Sequence, residues 1–489
     1  MRLAWFSPMP PVPSGVAACS AELVAELGNR HDIDVYVHTA SPADAIDGPR
    51  ISSAHDFVWR HRLQPYDLTV YQLGNSSHHD YIWPYVFRYP GLTVLHDARL
   101  HHARAAALLR TKRPADFRAE FAANHPEVAV DLAELAIAGF DSQLYYDWPM
   151  TRLVIQASRM TAVHSEPLRR QLEQELHGER IMAIRLAHGT LVTEDRIPQL
   201  RSRVRRQYAI AEDAVVFGVF GGLTPDKRVP QILDALDSIV PYAPSAHLLL
   251  AGRAPRHYDV AADVRRRGLD RRVTVTGYLT DEGDLTACIA ACDVSLNLRW
   301  PTAREMSGPW LRALAAGRPT VTIDLAHLVD VPALDPRTWR PNYVAIRDSQ
   351  FAPRGDRVSD AAADSDYPNR DPRPFDRLRV VPSNVEGRTA NREPVTVAVD
   401  ILDEDHSLRL AMRRLATDAT LRRSLGAAGR HFWQREHSMP RMVEDYERVI
   451  AEAVATPAQD VTLPSHLVND GDRLLNDTLA QFSLGSVWE

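Results

Sequence analysis

Val215-Val216-Phe217-Gly218-Val219-Phe220-Gly221-Gly222-Leu223-Thr224-Pro225-Asp226-Lys227-Arg228 is an apolar run that stops at two glycines and reopens on a charged turn. Residues 215–219 read as a buried strand, and 229–239 that follow the turn read as a helix. A strand, a glycine loop and a helix in that order open an α/β layer. Outward from it the rhythm continues, with strands at 246–250, 273–276, 294–298 and 320–323. Helices fall between them, and the one over 311–316 is stopped by Gly317.

The same rhythm occupies the first part of the chain. Arg2-Leu3-Ala4-Trp5-Phe6 is a strand, and the loop through Pro13-Ser14-Gly15 leads into a helix whose stripe is Val16, Cys19, Leu23 and Leu27. Further strands are expected at 33–37, 68–73, 92–95, 160–163 and 181–186. A helix is expected over 119–139 and a connector over 190–210, where Pro198 and several charges interrupt the pattern. With no internal repeat of 20–50 residues, two successive α/β units imply two nucleotide-fold domains, in keeping with 489 residues. The expected boundaries are 1–195, 196–440 and 441–489. Residues 329–394, rich in Pro, Asp, Arg and Asn, read as an insertion with a strand fragment at 378–381. Met442, Tyr446, Val449 and Ala453 mark one face of a last helix that packs back on the body. The tail beyond Thr456 carries no assigned role.

Composition removes several classes. A net charge of −6 argues against general nucleic-acid binding, which needs a basic face. Cys19, Cys288 and Cys292 are too few for a disulfide framework; the last two sit four apart in an apolar helical run and read as buried small hydrophobes. No run reaches 18 apolar residues. Four prolines within the first thirteen positions are incompatible with the apolar helix of a secretory signal. The expected location is cytoplasmic, with peripheral contact to a membrane through one face.

Four loops can carry chemistry. Ser14-Gly15 lies between a strand end and a helix start, where backbone amides meet an anion, or where the chain simply turns. His96, in Val94-Leu95-His96-Asp97, stands at the carboxyl end of an apolar strand; substrate contact and a structural role are both open, and the histidines nearby complete no metal site. Gly221 and Gly222 allow close approach of amides to a diphosphate, with Lys227 and Arg228 as cations, or the pair is a solvated helix start. Lys227 is one of only two lysines, with Lys112, among 57 basic residues. Glu305 precedes Ser307 and Gly308 at the mouth of the next helix, fitting a carboxylate for sugar hydroxyls beside phosphate-holding amides, or an ordinary cap.

In their order, Gly221-Gly222 with Lys227 and Glu305 with the helix running from Arg312 to Pro319 resemble the retaining glycosyltransferases of family 4, over residues 1–325 and 395–455. The resemblance implies the GT-B architecture, two Rossmann-like domains facing an interdomain cleft. It implies transfer of a sugar from a nucleotide-diphosphate donor to an acceptor hydroxyl, without a metal or other cofactor and with retention of configuration. The acceptor would be a carbohydrate, natural product or lipid-like molecule. Gly222, Lys227 and Arg228 would bind the diphosphate, Glu305 and His96 the transferred sugar, and Arg253 with Tyr278 the base. One position departs from the family. Arg312 stands where a second glutamate, holding the ribose, is expected, one residue short in spacing. Nucleotide-sugar epimerase, phosphorylase and non-catalytic scaffold are the rival uses of such a cleft. Base, sugar, acceptor and oligomeric state are not legible.

Overall fold

The strand Arg2–Phe6 (β1) is the centre of the first sheet in the computed structural model, which describes residues 1–39, 49–128, 131–140, 144–188, 192–256, 258–279, 281–323, 331–342 and 393–468. Leu3, Ala4, Trp5 and Phe6 are fully buried, as a parallel strand covered on both faces requires. Asp32–Val37 (β2) and Arg50–Ser53 (β3) lie to one side. Leu68–Leu73 (β4), Leu92–Leu95 (β5), Met160–Val163 (β6) and Ile181–Ala183 (β7) lie to the other. The order is β3-β2-β1-β4-β5-β6-β7, and every pairing is parallel.

The second sheet repeats this winding. Val216–Phe220 (β8), His247–Ala251 (β9), Val273–Val275 (β10), Val294–Asn297 (β11), Thr320–Ile323 (β12), Ala333–Leu334 (β13), Pro341–Asn342 (β14) and Thr396–Val399 (β15) are ordered β10-β9-β8-β11-β12-β15-β13-β14. Among the described residues of this sheet, the β13–β14 pair at the edge is antiparallel and the other pairings are parallel. The chain order reverses between β1 and β4 in one sheet and between β8 and β11 in the other. Ligands of open α/β sheets bind outside the strand ends at such points.

The last long helix, Met439–Ala455, returns to the first domain. Met442, Tyr446, Val449 and Ala453 are fully buried against it. Tyr446 packs 5.7 Å from Trp5, its hydroxyl accepts from Gln72 Nε2 at 3.3 Å, and Asp445 takes both arms of Arg185 at 2.7 and 2.9 Å. The tail continues across the same domain. Arg180 donates to the Pro457 carbonyl, and Leu467 of the turn Ser465–Val468 is buried among the aromatic residues behind β1.

Three elements differ from the pattern read in the sequence. Residues 190–210 contain a helix, Ile197–Gln207, because Pro198 lies in its first turn, where a missing N–H costs no internal hydrogen bond. Its buried Arg205 donates through its two terminal nitrogens to the carbonyls of Ala211, Glu212 and Ala214 and to Asp293. The helix expected over 119–139 is two, Pro114–Asn124 and Asp131–Ile137, on either side of Pro126. Strand β3 had no counterpart in that pattern. The strand fragment at 378–381 lies outside the described residues, as does most of the 329–394 segment. No helix among the described residues is long and apolar enough to cross a membrane.

Candidate active site

Phe220 ends β8, and the glycines after it are shaped by contact. Gly221 has φ +91°, a conformation that side chains resist. A Cβ on Gly252, which follows β9, would overlap the Gly221 carbonyl. A Cβ on Gly221 itself would lie 4.0 Å from Lys227 Nζ and 3.9 Å from Pro309 Cγ. The space over this glycine is therefore flanked by an ammonium group and by the start of the helix Gly308–Ala315, whose N-cap Ser307 accepts from the Trp310 amide. A helix start and a cation facing a glycine suit a diphosphate. Gly222 is exposed beside it.

Lys227 is buried, and its Nζ reaches the Phe220 carbonyl at 3.4 Å. Burial first, then the charge of Arg299, pushes its pKa down to about 7, while Asp226 and Glu305 pull the other way. Arg299 leaves the end of β11 and forms an ion pair with Glu305; its Nε lies 4.0 Å from Asp226. Burial works against the Arg299 charge, but Glu305, Asp226 and Asp97 more than offset it. The other oxygen of Glu305 accepts from the Thr302 hydroxyl at 3.1 Å. The loops after β8 and β11 are joined by the Trp300 amide, which donates to the Asp226 carbonyl at 2.8 Å. Gly221, Lys227, Arg299 and Glu305 thus converge at the switch point of the second sheet.

The first domain meets this cluster directly. Asp97, just beyond β5, forms a β-bridge with Glu305, and the amides of Ala98 and Arg99 both donate to the Ala303 carbonyl at 3.1 Å. His96 faces inward instead. Its Nε2 is 2.7 Å from Gln72 Oε1 and its Nδ1 3.2 Å from His164 Nε2. Burial, then His164, hold its pKa well below the ordinary value, so the ring is neutral.

Other residues expected at the site are placed differently. Arg228 has its fork on Glu404, with Nε to Oε1 at 2.8 Å, so its charge is committed to the helix Glu404–Thr417. Arg312 is buried on the interdomain face. It donates to His188 Nε2 at 3.1 Å, and its terminal nitrogen lies 2.6 Å from Glu282 Oε2. Gly308 is needed there, since a Cβ would come within 2.7 Å of the His188 ring. Ser14 caps the helix Gly15–Leu27 by accepting from the Val16 amide, and Gly15 is exposed with open space where its side chain would be. Arg253 lies over the Tyr278 ring at 5.5 Å, and both are exposed. Sequence reading assigned no role to Arg299 or Asp97. The available signal was a charged residue directly after an apolar strand, Leu298-Arg299 in one case and Leu95-His96-Asp97 in the other.

Residues 214–335 match the family described as Glycosyl transferases group 1. No curated protein sequence matches the chain. Fold and matched segment together give a likeness: the chain has the GT-B fold, and its residues 214–335 are similar to the group 1 glycosyltransferases. Its particular likenesses are distant. Sucrose-phosphate synthase from Thermosynechococcus elongatus has a TM-score of 0.56 at 13% identity, covering 93% of this chain and 99% of that one. Anabaena HepE in complex with UDP-glucose gives 0.54 at 12% identity, covering 92% and 99%. WaaG, a glycosyltransferase involved in lipopolysaccharide biosynthesis, gives 0.54 at 13% identity, covering 92% and 99%.

Proposed function

We propose that the protein transfers a sugar from a nucleotide-diphosphate donor to an acceptor hydroxyl, with retention of configuration and without a metal. The observation that carries this reading is the pairing over Gly221 of Lys227 with the helix start at Pro309, beside the Arg299–Glu305 ion pair. As the anomeric carbon–oxygen bond breaks, negative charge grows on the leaving diphosphate. Lys227 and the helix-end amides would stabilise that charge in place, a contribution that grows as water is excluded. Glu305, its orientation fixed by Arg299 and Thr302, would accept hydrogen bonds from the hydroxyls of the sugar. Arg253 and Tyr278, exposed at the ends of β9 and β10, are the candidate base contacts. Retention is supported by the resemblance to family 4, in which the acceptor attacks the same face and the departing phosphate receives its proton.

The donor panel of the test is UDP-, GDP-, ADP- and dTDP-glucose, each with and without simple sugar and polyprenyl-phosphate acceptors, in the presence of EDTA. Acceptor-dependent release of a nucleoside diphosphate, undiminished by EDTA, is expected, with NMR of the product giving the anomeric configuration. Donor binding with no transfer to any acceptor, or activity that EDTA abolishes, contradicts the proposal in its catalytic or its metal-free part. Anabaena HepE, which binds UDP-glucose, makes the uridine donor the first to try.

A further inference from the structure

Two acidic residues from different domains meet where the loops after β5 and β11 pair. Glu305 is fully engaged, one oxygen with Arg299 and the other with the Thr302 hydroxyl. Asp97 faces it across the bridge, with Oδ2 accepting from the Asn75 amide at 2.6 Å. The amides of Ala98 and Arg99 on the Ala303 carbonyl, and Arg99 Nη1 on the Thr302 carbonyl at 3.1 Å, hold the two backbones together at this point. Among the described residues Asp97 forms no ion pair. His79 and His96 beside it are held neutral by burial, and Arg299 is committed to Glu305. Two like charges on residues paired across a bridge disfavour each other, and Asp97 is the member with fewer bonds to its charged form.

We propose that Asp97 is a positioning residue of the transfer site: carrying the proton of the Asp97–Glu305 pair, it lets the two domains stay bridged while Glu305 remains set for the donor. The inference rests on the donor-site reading of Glu305 given above. Loss of that proton places a second negative charge against Glu305 and loosens the bridge. Burial, then Glu305, raise the Asp97 pKa from its ordinary 3.8 to about 7, with the Asn75 amide and Arg299 opposing. The stability contributed by a group raised in this way is complete below pH 3.8 and is lost as pH rises through about 7.

The test is hydrogen exchange of the whole protein between pH 5.5 and 8.5, corrected for intrinsic rates, read at the amides of Ala98 and Arg99. It needs no substrate, so its outcome is separate from that of the transfer assay. Protection is expected to fall roughly tenfold for each pH unit from 5.5 to about 7 and to level off above it, as a one-proton opening requires. The isosteric D97N variant should be protected at every pH. E305Q, which removes the repulsion, should give a smaller fall in protection over the range, because Asp97 then ionises with no carboxylate facing it. If transfer is measurable, D97N should also lose the alkaline limb of its kcat/KM profile. Flat protection in the wild-type protein, or the same pH step in D97N, overturns the proposal.

Discussion

Lys227 is the residue on which the donor site turns, and its environment makes a distinctive prediction. A buried amine with a pKa near 7 is largely neutral at pH 8. Its depressed pKa contributes stability that is present above 10.5 and lost as pH falls through about 7, so the empty protein loses this contribution on acidification. A bound diphosphate would reverse the balance by giving the ammonium an anionic partner. Calorimetry at pH 8 in buffers of different ionisation enthalpy should therefore show proton uptake approaching one per nucleoside diphosphate, and Lys227→Met should abolish it. Arg228 makes the opposite case. Because its fork is on Glu404, Arg228→Ala should cost about 1–3 kcal/mol in denaturant unfolding by leaving a buried carboxylate unpaired, while changing nucleotide affinity less than threefold. A large loss of affinity with unchanged stability would return Arg228 to the phosphate site. Reading the sequence could not separate these two cations. They are adjacent in the chain, and what divides them is the left-handed backbone of Arg228 (φ +57°) and a carboxylate 176 positions away.

Elements were more legible than residues where periodicity alone decides. The helix Val229–Ile239 and the strands β4, β5, β6 and β12 fall on the expected positions, since an unbroken apolar strand between turn residues has few alternatives. Pro198 and Pro126 misled in opposite directions, because proline starts one helix and separates two others. The junction of β8 and β9 with the glycine loop was not legible at all. Gly252 follows β9, and only in three dimensions does its bare Cα accommodate the Gly221 carbonyl. Gly252→Ala should displace that carbonyl and lower nucleoside diphosphate affinity at least tenfold, with near-native far-UV circular dichroism. Unchanged affinity would mean that the loop does not form the phosphate cradle.

For the whole molecule, the sequence pattern carried the two-domain α/β plan and the returning helix, whose buried stripe of Met442, Tyr446, Val449 and Ala453 was visible as periodicity. What it could not carry is the meeting of the domains, where Asp97 touches Glu305 and Arg312 turns to His188 and Glu282. The Asp97–Glu305 and Arg312–His188 contacts join residues more than 100 positions apart, and local spacing leaves no trace of them. Tyr446→Ala should cost about 3–5 kcal/mol through the cavity against Trp5, a loss read as a lowered midpoint in denaturant. On the proposed function, the loops after β8 and β11 bind the diphosphate of a sugar donor. Titration calorimetry of UDP, GDP, ADP and dTDP into the wild-type protein and Lys227→Met tests it most directly. At least one nucleotide is expected to bind the wild type and to bind the variant at least tenfold more weakly. Equal affinity for both proteins, or no binding to folded wild type, would contradict it.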